Sequence, residues 1–249
     1  MSKKDDVKKI LLTSIEVKKG LDNISLCRCK KILSGQKYVN NPDPDMSDFA
    51  IQFYEIIYDD LIILDADGYL NKNDFAGDTM CSFNTIANRI PGAGKSRATR
   101  TDYKVWPPYL QKYYNMYHCL ANFWLLPMEV GRNGNTKLSK SRATKDYVDR
   151  FIKYYREYFS CYECKYDDYT KKFNYEDDFF EKHFLVGENN FVRLINNEYV
   201  VNEFSKESPQ EIIGSMIKLI EGRAEAISNS KYCKRLWEFF NKYKLIQDV

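Results

Sequence analysis

The spacing of apolar and polar positions switches several times along the chain, and the switches divide it into helical and extended segments. Over residues 4–19, Val7, Ile10, Leu11, Ser14, Ile15 and Lys18 recur about every 3.6 residues, which predicts a helix. "SLCRCKKILSGQKYV" alternates in part and then meets a glycine, so it reads equally as a strand or a short helix. "NNPDPD" is a loop, because each proline lacks a backbone donor and Asn and Asp favour turns. Ser47 is placed to cap a helix running to about Tyr58. "LIILDADGYL" predicts two strands around an Asp-Gly turn, and "IPGAGKSRATRTDYKVWPP" predicts a Gly/Pro-rich basic loop. Residues 109–126 are apolar nearly all round, so their burial is clearer than their secondary structure. Residues 144–160 place Tyr147, Phe151, Tyr154, Tyr155 and Tyr158 on one helical face. After a mixed stretch near 160–188 comes a strand pair with an Asn-Asn turn in "NNFVRLINNEYVVNEF". Ser208, Pro209 and Glu211 then form a capping box with proline at the first helical position. A last helix is predicted over about 230–244. These elements predict an α+β fold, mostly helical, with one or two small antiparallel β elements. One domain spanning 1–249 is expected, with a soft boundary near 160–188.

Composition narrows the class. The chain has 249 residues, with 44% hydrophobic and 15% aromatic residues, enough to build a sizeable core. The net charge is only +3, so any polyanion would have to be held by local clusters of Lys and Arg. The N-terminal twenty residues carry charges throughout, and no apolar run reaches membrane-spanning length. The seven cysteines are an odd, scattered set, best read as reduced thiols. A cytoplasmic protein without a membrane segment is expected.

Several short motifs point to chemistry and fail on spacing. "PGAGKS" lacks the first glycine of a phosphate-binding loop, because Arg89 stands in that place. The basic residues Arg89, Lys95, Arg97, Arg100 and Lys104 of that segment are suited instead to a phosphate backbone. "DADGYLNKND" misses the first and last ligands of a calcium loop and reads better as a hairpin turn. Cys27, Cys29, Cys161 and Cys164 lack the paired two-residue gaps usual for zinc. Of the two histidines, His183 follows "DDFFEK" and is expected at a surface or helix end. His118 lies among Tyr114, Met116, Tyr117 and Phe123, so partial burial is expected, either as a satisfied core residue or as a site residue.

Two resemblances add to this reading. "DPDMSDFAIQFY", "NDFAGDTMCSFN", "YHCLANFWLLPMEVGRNGNTKLSKSRATKDYVDRF" and "WEFFNKYKLIQDV" together resemble a large family of uncharacterised bacterial proteins from about Asn40 onward. That resemblance implies a cytoplasmic bacterial protein and brings no activity. A shorter stretch is similar to the C-terminal half of HNH-type nuclease domains of modification-dependent restriction enzymes. His118, Asn122 with "FWLL", Asn135, Leu138–Ser139 and Lys145 fall in that order. Ala121 replaces the family's Gly and Lys140 its last Asn. Upstream, Asp78 matches the acid that helps hold a metal, but Thr79 stands where the family has its base. A Thr hydroxyl is not a base near neutral pH. Either His118 has taken over that role or the fold persists without hydrolysis, and the second is preferred.

This resemblance implies a cleft assembled from Asp78, Thr79, Ser82, Asn84, His118, Asn122 and Asn135, with His118, Asp78 and Asn122 as its catalytic set. Asp78 and Asn135 would contact a divalent metal, Mg²⁺ or Mn²⁺. Arg89, Lys95, Arg97, Arg100, Arg132, Lys140 and Arg142 would hold DNA or RNA. The function expected first is a nucleic-acid-associated protein with a degenerate HNH-like site. The alternatives are a non-catalytic module for a protein partner and an enzyme of unknown class using the His118 cleft.

Overall fold

α-Helices starting at Lys3, Asp48 and Pro209 each begin where a serine side chain satisfies a backbone N–H that the helix end leaves open. The computed structural model describes residues 2–15, 28–29, 39–40, 44–59, 75–87, 89–90, 106–127, 148, 176–202 and 208–246. In chain order these hold α1 (Lys3–Leu11), β1 (Arg28–Cys29), β2 (Val39–Asn40) and a 3₁₀ turn (Pro44–Met46). Then come α2 (Asp48–Ile57), β3 (Phe75–Thr79), α3 (Phe83–Ala87), α4 (Pro108–Met116) and a second 3₁₀ turn (Leu120–Asn122). The remainder is β4 (Phe123–Pro127), α5 (Glu176–Lys182), β5 (Val192–Ile195), β6 (Glu198–Val201), α6 (Pro209–Asn229) and α7 (Cys233–Lys242). The fold is α+β and mostly helical, with small antiparallel strand pairs.

Ser47 caps α2 by accepting from the Ala50 N–H, as the sequence predicts. Ser208 and Glu211 close the predicted capping box on α6, with Pro209 at its first position. The β5/β6 hairpin turns at Asn196 and Asn197, whose φ values of 51° and 65° suit a two-residue turn. Asn tolerates this left-handed region better than most residues.

One predicted feature is corrected, and one observed feature was not expected. The first helix was expected over 4–19 and ends at Leu11. Ser14 bridges to Cys119, and the Ile15 N–H donates to the His118 carbonyl at 3.1 Å. Ser14 and Ile15 are buried as the helical period requires, but a backbone partner from a distant segment takes them out of the helix. The unexpected feature is the β3/β4 pair, which the sequence pattern does not announce. Its strands lie far apart in sequence, so no turn signal links them. The predicted hairpin at 61–72 and the predicted helix at 144–160 lie outside the described residues, Val148 excepted. That residue is helical and buried, and its N–H donates to the Met80 carbonyl at 3.0 Å.

α6 is the central helix. Ile213, Met216, Ile220, Ala224 and Ile227 are buried along its length, and α1, α4 and the second 3₁₀ turn pack on it. Gly222 lies mid-helix, where glycine costs about 1 kcal/mol relative to alanine. A Cβ there would meet the Asn189 carbonyl oxygen at 2.8 Å, so glycine permits the 187–190 segment to lie on the helix. Burying each large apolar side chain contributes roughly 1.5–3 kcal/mol, which outweighs that local cost. α7 closes the other side, with Phe239 stacked on Phe49 of α2 at 4.8 Å. No helix among the described residues is long and apolar enough to cross a membrane.

Candidate functional site

β3 and β4 bring the predicted site segments together. Asp78 pairs with Trp124 and Thr79 with Phe123, so the "AGDTM" and "HCLANFW" stretches meet at one end of the ladder. Gly77 makes the approach possible. A Cβ at Gly77 would stand 2.1 Å from the Asp45 carbonyl oxygen and 2.8 Å from the Tyr54 hydroxyl. Tyr54 donates to that same Asp45 carbonyl at 3.0 Å and is wholly buried. Burial pushes the Tyr54 phenol well up, and the nearby Asp45 carboxylate adds to the shift. Gly77→Ala is expected to destabilise by roughly 1–3 kcal/mol, because β3 must move off the first 3₁₀ turn. Urea denaturation with an unchanged midpoint would refute this.

Asp78 is half-buried, and one carboxylate oxygen accepts from the Thr79 N–H at 2.8 Å. A carboxylate has further lone pairs, so Asp78 can still offer a hard oxygen to Mg²⁺ or Mn²⁺. Among the described residues, no three His, Cys, Asp or Glu side chains converge on a common point. Asn135, the second predicted metal contact, lies outside the described residues, as do Lys95, Arg97, Arg100, Arg132, Lys140 and Arg142. Arg89 is described and is exposed. Ser82 is half-buried just before α3, and Asn84 lies within that helix.

Asn122 is wholly buried and works as a clamp. Its Nδ2 donates to the Tyr117 carbonyl at 2.6 Å and the Cys81 carbonyl at 3.0 Å. Its Oδ1 accepts from the Cys81 N–H at 3.1 Å. Both amide hydrogens and one acceptor position are therefore engaged with backbone, which leaves no N–H for a substrate. The clamp ties the residues after β3 to the end of α4. Thr79 is 7% exposed, and its backbone sits within the ladder. His118 is 4% exposed, with its ring 3.8 Å from that of Tyr117 and 6.3 Å from that of Phe123. The β3/β4 pairing sets the segment of Asp78 and Thr79 beside the His118–Asn122 stretch, with Asp78 on the Trp124 face of the ladder and Thr79 on the Phe123 face, and His118 and Asn122 are buried.

A second polar cluster lies deeper. Sequence reasoning missed it and expected His183 at a surface or helix end. His183 does stand at the end of α5, but it is wholly buried, as are Tyr58 and Arg223. Arg223 Nη1 donates to the carbonyls of Ala121 at 2.9 Å and Phe123 at 2.6 Å. Nε donates to the His183 carbonyl at 2.8 Å, and Nη2 to the Tyr58 hydroxyl at 2.9 Å. The planar guanidinium suits this task, because its fork of donors matches several fixed acceptors at once. A signal was present in the sequence. Arg223 stands three residues after Ile220 and four before Ile227, on the apolar stripe of α6. A cation on such a stripe marks either a misjudged face or a buried network.

α6 and the 187–191 segment also border a surface groove of about 1080 Å³. Lys8, Arg193 and Lys218 line it alongside Glu188, Glu221 and Glu225. Lys8 is paired with Glu225, and Glu221 with Lys112. The charges balance, so the groove does not select for a polyanion. No protein family, curated protein or solved structure matches this chain.

Proposed function

We propose that this is a cytoplasmic bacterial protein that binds nucleic acid at a degenerate HNH-like site without hydrolysing it. The observation that carries the non-hydrolytic part is the use of Asn122 as a backbone clamp beside a walled-in His118. A general base must reach the water it activates, and a residue 4% exposed against two aromatic rings is poorly disposed to do so. The binding part is supported by the exposed Arg89, which opens the basic segment through Arg100. Asp78, with Asn135, would hold Mg²⁺ or Mn²⁺ and so bridge the protein to a phosphate.

Fluorescence anisotropy with labelled single- and double-stranded oligonucleotides tests this across a salt series. Affinity should fall steeply with salt, and joint charge reversal of Arg89, Arg97 and Arg100 should weaken all sequences alike. On duplex DNA the log–log salt slope should shrink by about 2–3, since each lost phosphate contact removes roughly 0.9. No strand cleavage is expected with Mg²⁺ or Mn²⁺. Cleavage by the purified protein, abolished by both His118→Ala and Asp78→Asn, would replace this reading with a live nuclease whose base is His118. Binding that ignores both salt and the charge reversal would remove nucleic acid as the partner.

A second reading, a non-catalytic module for a protein partner, is favoured by the β5/β6 hairpin. Leu194, Ile195 and Val200 are 53%, 40% and 37% exposed there. Large apolar side chains grouped on one exposed hairpin are the kind of surface a partner covers.

A further inference from the structure

The buried cluster is directional. The Tyr58 oxygen accepts from Arg223 Nη2 at 2.9 Å. With the guanidinium donating to the oxygen, the hydroxyl's own proton is placed to go to His183 Nδ1, 2.9 Å away. His183 Nδ1 is therefore an acceptor, and the neutral ring carries its proton on Nε2. Arg223 holds the same residue from the other end, through the His183 carbonyl. The cluster thus joins α2, α5, α6 and the start of β4, the imidazole bonding Tyr58 at the end of α2 and the Arg223 guanidinium making the other links. Around the ring stand Trp124 of β4 at 5.9 Å and Phe179 of α5 at 4.3 Å. Among the described residues, the charges that act on it, Arg223 and Lys182, are both positive, and the Tyr58 hydroxyl lies within hydrogen-bond reach of its Nδ1.

We infer that this relay is an acid-sensitive latch, in which proton uptake at His183 Nδ1 releases α5 and the hairpin behind it from α2, α6 and β4. A proton on Nδ1 turns an acceptor into a donor that faces the Tyr58 hydroxyl proton, on an oxygen already accepting from Arg223. It also sets a second cation beside Arg223 in a dry site. The hairpin moves with α5, because Tyr199 packs on Phe180 at 6.1 Å and donates to Glu181 at 2.9 Å. Burial, then Arg223 and Lys182, hold the His183 imidazole well below its ordinary value near 6.5. The sign follows from that direction. The released state takes up the proton near pH 6.5 and the latched state resists it. The latch is therefore fully set above about pH 6.5 and weakens as pH falls.

Hydrogen exchange of the intact chain at pH 7.5 and pH 5.0, corrected for intrinsic rates, reads this directly. Peptides over 176–202 should gain about 30-fold in exchange at pH 5.0, the factor set by 1.5 units below the free imidazole value. Peptides over α7 should gain far less. In His183→Asn an amide oxygen stands in for Nδ1 and has no proton to gain, so the acid response should vanish. Nitrogen-15 spectra of the imidazole in the wild-type protein should show the Nε2–H tautomer at neutral pH, a readout that needs no variant. The inference fails on any of three results. These are an equal rise across α7, an acid response retained in His183→Asn, and a ring that titrates near 6.5 while 176–202 stays protected.

Discussion

Replacing Arg223 with alanine is expected to lower the melting temperature by about 10 °C or more, or to prevent folding. The reason lies in what stays behind. Removing the guanidinium leaves the carbonyls of Ala121, Phe123 and His183 without the donors that meet them at 2.6–2.9 Å. A buried acceptor left unmet costs roughly 1–3 kcal/mol, and three of them together reach about 4 kcal/mol even if water enters the vacated space. Each kcal/mol lowers the midpoint by about 2–4 °C in a chain of this size. Buried charges can often be exchanged for apolar groups at little cost when every partner is exchanged too. Here the partners are backbone groups, which no substitution removes. Arg223→Met therefore separates volume from hydrogen bonding. It keeps the packing of the stem, supplies no donor and excludes water, so it should be nearly as harmful. Arg223→Met melting within a few degrees of the parent would show that the guanidinium is dispensable.

Trp124→Ala should cost roughly 3–5 kcal/mol, the range for truncating a buried large aromatic. Trp124 is wholly buried on β4, opposite Asp78 in the ladder. Its ring meets His183 edge-on at 5.9 Å and 72°, so it walls the chamber in which His183 stays neutral. Chemical denaturation measures the loss, and Trp124→Phe should recover part of it by refilling most of the volume. The same truncation should reduce the difference in stability between pH 7.5 and pH 5.0. Water admitted beside His183 lessens the cost of charging it. A Trp124→Ala midpoint close to that of the parent would mean that the ring is not packed as described.

Much of the fold was legible because its signals are local. Ser47 and the Ser208–Glu211 box announced two helices through groups within one turn of each other. Asn196 and Asn197 announced a hairpin because two residues suffice to reverse a strand. Trp124 was readable as core from its apolar neighbours alone. The candidate site was legible only as a set of residues. The segments that carry Asp78, Thr79, His118 and Asn122 meet through the β3/β4 pairing, which no local pattern encodes. The part each residue plays was less legible still. Asn122 has the same side chain whether it clamps Cys81 and Tyr117 or meets a substrate, and only its neighbours distinguish the two.

By itself, then, the sequence determined the capped starts of α2 and α6, the Asn-Asn turn and the burial of Trp124, because these follow from side-chain chemistry within a few positions. The tertiary structure alone decided that α1 stops where Ser14 and Ile15 find partners at Cys119 and His118. It alone decided that Gly77 lets β3 lie against Asp45, and that Arg223, Tyr58 and His183 share one buried network. A hydrogen bond between residues more than a hundred positions apart leaves no periodicity along the chain. Its partners become visible only when the fold has brought them within 3 Å.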